Sequence, residues 1–161
     1  MRVGNGYDVH RFSSDADSTL RLGGVDVPSA PQLEGHSDGD ALIHAIADAL
    51  LGASGEGDIG QHFPPGEPET RGVDSRVLLT RIVRLVAARG FRVHNIDSTV
   101  IAEQPKLAPH IPAMRDSIAH TVGIEPSFVN VKATTNEGLG DIGEGRAIAA
   151  TAVVLLDEQA T

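Results

Sequence analysis

The run Glu34–Gly60, EGHSDGDALIHAIADALLGASGEGDIG, joins a polar loop, a helix and a glycine-rich exit, and the rest of the chain is built to meet it. Ser37 followed three residues on by Asp40 has the form of a capping box with Asp in place of the usual Glu. It predicts a helix from about Asp38 to about Leu51. Leu42, Ile46, Ala49 and Leu50 form its apolar side. On another face Asp40, His44 and Asp48 recur every four residues, so one imidazole stands between two carboxylates. Such a stripe suits solvent as well as it suits a ligand.

Composition narrows the classes of function. A length of 161 residues points to one domain with enough chain for a real core. There is no cysteine, so disulfides are absent and a transition-metal site must use nitrogen and oxygen ligands. A formal charge of -9 argues against nucleic acid as a partner, because no basic stripe exists to displace counterions. An anionic substrate remains compatible if metal ions bring the positive charge. The start MRVGNGYDVH lacks the charged and apolar segments of a signal peptide, and no apolar run reaches membrane-spanning length. A soluble cytoplasmic protein with no membrane partner is expected.

Outward from the opening run, Arg2–Phe12 reads as a strand. Val3, Tyr7 and Val9 alternate there with Gly4, Asp8 and His10, so Asp8 and His10 share a face. LRLGGVDVP (20–28) reads as a hairpin turning at Gly23-Gly24. The stretch 54–73 carries glycine, proline and charge without period and is expected to be a functional loop or lid. Asp74 reads as the N-cap or first-turn acid of a second helix through Val77, Leu78, Ile82, Leu85 and Val86 to a stop at Gly90. A strand (Phe91–Glu103), a third helix (about Pro109 to Val122) and a strand (Ser127–Thr135) with a polar second face follow. The last strand, Arg146–Leu156, is apolar on both faces and needs cover on both. Three helices can cover one face of a small mixed sheet. The α+β chain is therefore expected to bury the other face against further copies of itself.

Asp8, His10 and His44 together offer the three nitrogen and oxygen ligands of a zinc site with an open fourth position. Asp-x-His pairs and helical histidines are common, so this spacing alone is weak evidence. The glycine-rich runs Gly55–Gly60 and Gly138–Gly145 match neither a P-loop nor a dinucleotide fingerprint, and plain turns explain them as well. Thr134, Thr135 and Glu137 provide hydroxyls and a carboxylate suited to phosphate and a hard cation. Alone, that motif also reads as a strand end.

Taken in order, GYDVHRF (6–12), GHSDGDALIHAIADALLGASGEGDIGQHFP (35–64), DSTVIAEQPKLAPHI (97–111) and VNVKATTNEGLG (129–140) resemble the 2-C-methyl-D-erythritol 2,4-cyclodiphosphate synthases, from Arg2 to Leu156. The resemblance implies a homotrimer with sheets around a threefold axis and active sites between subunits. It implies a step of non-mevalonate isoprenoid synthesis. In it the 2-phosphate of 4-diphosphocytidyl-2-C-methyl-D-erythritol 2-phosphate attacks the β-phosphorus and CMP leaves. Position by position, it implies that Asp8, His10 and His44 bind Zn2+ and that Glu137 holds a Mg2+ or Mn2+ bridging the phosphates. His36 and Thr135 would steady the phosphates in the transition state, with Ser37 beside the first and Asn136 beside Glu137. Asp58, Ile59 and Gly60 would form the methylerythritol pocket, with Phe63 at the start of the mobile loop. Ala102, Pro105, Lys106, Leu107, Ala108 and Thr134 would form the cytidine pocket.

Several positions depart from the family pattern. Phe63-Pro64-Pro65 stands where Phe-Pro-Asp is usual. Gly143-Glu144-Gly145-Arg146 stands where Gly-Arg-Gly-Glu is usual, with Asp141 in place of a nearby aromatic. An ion pair survives that exchange with its polarity reversed, whereas an anion contact from the Arg position does not. An isoprenoid diphosphate in a central cavity would accordingly be held poorly. Two other readings carry the same ligands: a zinc-dependent phosphoesterase, which would activate water, and an inactive trimeric metal-binding member. A fused cytidylyltransferase has no room in this length.

Overall fold

The computed structural model describes residues 1–28 and 30–159. The chain opens with β1 (Arg2–Arg11) and a hairpin of β2 (Leu20–Leu22) and β3 (Val25–Val27). Helices α1 (Ala41–Ser54), α2 (Ile59–His62) and α3 (Ser75–Ala88) follow. Then come β4 (Phe91–Ile101), α4 (Ile111–Val122), β5 (Val129–Thr134), α5 (Gly140–Gly143) and β6 (Ala147–Glu158). The main sheet runs β1-β6-β4-β5, antiparallel except for the β4–β5 pair, so it is mixed and the fold is α+β.

Two glycines decide how the helical layer meets this sheet. A Cβ at Gly4 would lie 2.0 Å from the Ala49 carbonyl oxygen, and one at Gly6 would lie 2.0 Å from that of Ala45. Without them α1 rests backbone to backbone on β1, and the small Ala45, Ala49 and Ala53 keep the approach close. On the same side Ile148, Ala150, Ala152, Val154 and Leu156 of β6 are buried. Helix α3 closes over α1, so α1 is buried almost all round rather than along one stripe. The opposite face of the sheet carries Val3 and Tyr7, which are 69% and 57% exposed, with Val9 and Val153 near them. The expected apolar second face is therefore present and bare in the single chain.

Helix α1 begins three residues later than the capping-box pattern implies. Asp40 is itself the N-cap, and its fully buried carboxylate accepts from Ile43 N at 3.0 Å. It also accepts from Gly23 N (2.9 Å) and Gly24 N (2.6 Å), fastening the hairpin turn to the helix. Burial pushes the Asp40 carboxyl up from its ordinary value, and those three N–H groups oppose the push. Of the two places open to Asp74, it takes the N-cap of α3, accepting from Arg76 N. Helix α4 starts at Ile111 rather than Pro109, and a 3-10 turn at Pro126–Phe128 occupies the front of the strand expected from Ser127. The stretch 54–73 is not structureless, since it holds α2 and a 3-10 turn at Pro68–Thr70.

Candidate active site

Alternation along β1 turns Gly4, Gly6, Asp8 and His10 toward the helices, and the glycine seat brings His44 of α1 down beside the last two. Asp8 Oδ2 lies 2.8 Å from His10 Nε2 and 3.0 Å from His44 Nδ1, and the two ring nitrogens are 3.3 Å apart. All three ligand atoms fall within 4.8 Å of one another, as one metal ion requires. The outer nitrogens are already engaged: His10 Nδ1 donates to the Glu34 carbonyl at 2.5 Å, and His44 Nε2 meets Ser75 Oγ at 2.9 Å. Each imidazole therefore turns its other nitrogen to the cleft, His10 through Nε2 and His44 through Nδ1. One carboxylate and two imidazoles of this kind form a donor set able to hold a metal ion.

The electrostatics favour the ligand forms unevenly. Burial would raise the Asp8 carboxyl, but hydrogen bonds and charge from His10 and His44 prevail and hold it well below the usual carboxylate range. For His10 burial lowers and the Asp8 hydrogen bond and charge raise, leaving it above its ordinary value. A cation in the cleft therefore meets an ionised Asp8 and competes with protons for His10.

Around this triad lie the other residues of the opening run. Ser37 Oγ is 3.0 Å from His44 Nε2, and His36 Nε2 donates to the Glu67 carbonyl at 2.9 Å. Gly72 N reaches the His36 carbonyl and Asp38 N the Val73 carbonyl, lacing the 63–74 loop to the residues before α1. Asp58 caps α2, accepting from Gln61 N at 3.0 Å and from Gln61 Nε2 at 2.6 Å. Asp48 accepts from Ile59 N at 2.8 Å, tying α2 and Gly60 to α1 one turn beyond His44. Burial raises the Asp48 carboxyl against that hydrogen bond. Phe63 packs partly buried against the core just after α2.

The second group stands at the far edge of the sheet. Ala102 N donates to the Thr134 carbonyl at 2.9 Å, and the turn through Pro105, Lys106, Leu107 and Ala108 follows, with Leu107 buried. Thr135 Oγ1 donates to Glu137 Oε1 at 3.2 Å, and Glu137 holds φ at 52°. The Glu103 carboxylate accepts from Asn136 N (2.8 Å) and Gly138 N (3.3 Å), joining the turn to the 134–138 segment. Neither Glu103 nor Ser75, Asp38 and Asp48 follows as a supporting residue from local sequence pattern, because each acts through a tertiary contact. Only Asp48 carried a signal, its place on the four-residue stripe.

The strand register measures how far apart the two groups are. Asp8 pairs with Ala150, Ala150 with Val100 and Val100 with Ala133, one row across all four strands. Three interstrand steps span about 14 Å, so Thr134 and Thr135 stand well away from the Asp8 cleft of their own chain. At the exchanged positions, Arg146 pairs back with Asp141 of α5 and with Glu144 just after it (3.0 Å).

The YgbB family model matches residues 1–157. The 2-C-methyl-D-erythritol 2,4-cyclodiphosphate synthase of Gloeobacter violaceus is 56% identical over 158 residues, covering 98% of this chain and 96% of the relative. Among solved structures, the bifunctional IspDF of Campylobacter jejuni superposes with a TM-score of 0.92 at 41% identity. It covers 98% of this chain, which in turn spans only 42% of that longer one. The Plasmodium falciparum IspF CDP complex gives a TM-score of 0.85 at 36% identity, covering 99% of this chain and 97% of that one. With one family model matching nearly from end to end and a relative more than half identical, the chain belongs to the YgbB family.

Proposed function

We propose that this chain is a lyase of non-mevalonate isoprenoid synthesis. It converts 4-diphosphocytidyl-2-C-methyl-D-erythritol 2-phosphate to 2-C-methyl-D-erythritol 2,4-cyclodiphosphate with release of CMP. The observation that carries this is the preformed Asp8–His10–His44 donor set in a chain aligned over nearly its whole length with synthases of that name. We read residues 1–161 as a single cyclodiphosphate synthase domain, working in the cytoplasm.

Asp8, His10 and His44 would hold Zn2+, and Glu137 would hold Mg2+ or Mn2+ with the substrate's phosphates completing its shell. Bound there, the two cations supply Lewis-acid charge to the attacking and leaving phosphate oxygens. His36, Ser37 and Thr135 hydrogen-bond the phosphates, His36 after its ring leaves the Glu67 carbonyl. Asp58, Ile59 and Gly60 bind the methylerythritol hydroxyls at the start of α2, with Phe63 over them. Ala102, Pro105, Lys106, Leu107, Ala108, Thr134 and Asn136 receive the cytidine diphosphate end, a role supported by the CDP of the structural relatives.

The two groups are a sheet's width apart in one chain, and Val3, Tyr7, Val9 and Val153 leave an apolar face open. A homotrimer packed through that face would bring the metal half of one subunit to the Thr134–Glu137 edge of the next. Phosphorus NMR of the protein with substrate and Mg2+, before and after chelation, tests the reaction. Cyclic diphosphate with CMP, lost on chelation, supports it. Inorganic phosphate instead indicates a phosphoesterase, and no product indicates an inactive metal-binding member.

A further inference from the structure

Resting on the metal reading of Asp8, His10 and His44, the packing behind His44 assigns a task to two residues outside the ligand set. Ser75 is fully buried at the first position of α3, and its Oγ lies 2.9 Å from His44 Nε2. The same Oγ hydrogen-bonds Asp38 Oδ1, and Asp38 Oδ2 accepts from Ser75 N at 3.0 Å. Asp40 N adds a third donor to the Asp38 carboxylate at 3.2 Å.

The directions of these bonds are forced. An ionised carboxylate only accepts, so the Ser75 hydroxyl hydrogen goes to Asp38. The Ser75 oxygen then has only lone pairs left for His44, and Nε2 must carry a ring hydrogen and donate. That makes Nδ1 the nitrogen turned toward Asp8 and His10, where a cation takes the place of any hydrogen it shares with the Asp8 carboxylate. Ser37 Oγ also approaches Nε2, at 3.0 Å, and meets Ser75 Oγ at 3.4 Å, but among the described residues no carboxylate orients its hydrogen. His10 reaches the complementary state by a simpler device, the Glu34 carbonyl on its Nδ1.

We propose that Asp38 and Ser75 are positioning residues for metal binding, a carboxylate–hydroxyl relay that fixes the tautomer and ring angle of His44. Because Asp38 precedes α1 and Ser75 opens α3, the relay also aligns the two helix starts that wall the cleft. The test must therefore separate support of the ligand from support of the fold.

Zinc affinity measured by competition with a chromophoric chelator is compared for the full-length wild type, Ser75→Ala and Ser75→Thr. In parallel, nitrogen-15 NMR of the zinc-loaded proteins follows the His44 Nε2 hydrogen. Expected are a roughly tenfold to hundredfold loss of affinity in Ser75→Ala and recovery of most of it in Ser75→Thr, which keeps the hydroxyl. The Nε2 hydrogen should be downfield and slow to exchange in wild type and Ser75→Thr. Wild-type affinity in Ser75→Ala, or a rapidly exchanging Nε2 hydrogen in the wild-type zinc protein, overturns the relay. If Ser75→Ala does not fold, the wild-type spectrum alone decides. A wild type that binds no zinc overturns the metal reading itself, whereas one that binds it and is indifferent to Ser75 overturns only the relay.

Discussion

The Asp8, His10 and His44 group lies under α1 with its outer ring nitrogens hydrogen-bonded, whereas Thr134, Thr135 and Glu137 stand exposed at the sheet's opposite edge. The first is seated by two glycines on a strand and a helix that share the main core. The second is held by Glu103 and by backbone contacts of a turn. A site built on packed elements is ordered before its ligand arrives; one built on an open edge gains its order from substrate or from a second chain. Metal binding should thus belong to the single fold and nucleotide binding to the assembly.

Several substitutions would break or sharpen that contrast, and the largest effect is expected from His44→Ala. Loss of bound zinc should cost about a thousandfold in turnover, or about 4 kcal/mol, while the cytidine half still binds CMP. Turnover with steady-state kinetics and metal content on the same sample checks it. Next is Gly6→Ala, whose Cβ would meet the Ala45 carbonyl at 2.0 Å. It should lose about 3 kcal/mol in chemical denaturation, and zinc affinity with it, because α1 lifts from β1. Gly52→Ala, with nothing within 4 Å of its Cβ, should instead be neutral or stabilising.

Asp40→Asn comes third. An amide cannot accept on both arms, so either Gly24 N or the Gly23 and Ile43 N–H pair loses its acceptor. About 2 kcal/mol of stability should go, with zinc binding retained, since Asp40 fastens the hairpin and not the ring of His44.

The smallest effect is one of pH. Hydrogen bonding to Arg76 lowers the Asp74 carboxyl from its ordinary 3.8 to about 2. A depressed folded value means that its contribution is complete above pH 3.8 and is lost as pH falls toward about 2. Asp74→Asn should flatten the acid limb of stability in that window, by less than about 1 kcal/mol because the pair is partly solvated.

Local pattern carried much of this design. The 3.6-residue period and an acid at the cap predict α3 to within a residue at its start, and two-residue alternation puts Asp8 and His10 on one face. The unbroken apolar run of β6 anticipates a sheet that needs cover on both sides. What local pattern could not reach depends on distant partners. Asp40 became the cap of α1 because Gly23 and Gly24 supply two further donors, which shifts the helix start away from Ser37. Helix α2 is a single turn held by Asp58 and Asp48, too short for any period to register. That His44 meets Asp8 follows from the missing Cβ atoms of Gly4 and Gly6, and Ser75 joins them only because α3 folds back across α1.

The central claim is that a working site needs the metal half of one chain and the open edge of another. Subunit mixing tests it most directly, using His44→Ala and Lys106→Ala, each expected to be nearly inactive alone. After dissociation and reassembly of an equimolar mixture, about a quarter of wild-type activity should return, the chance that an intact His44 faces an intact Lys106 across a threefold interface. A mixture as inactive as its two components would contradict the account.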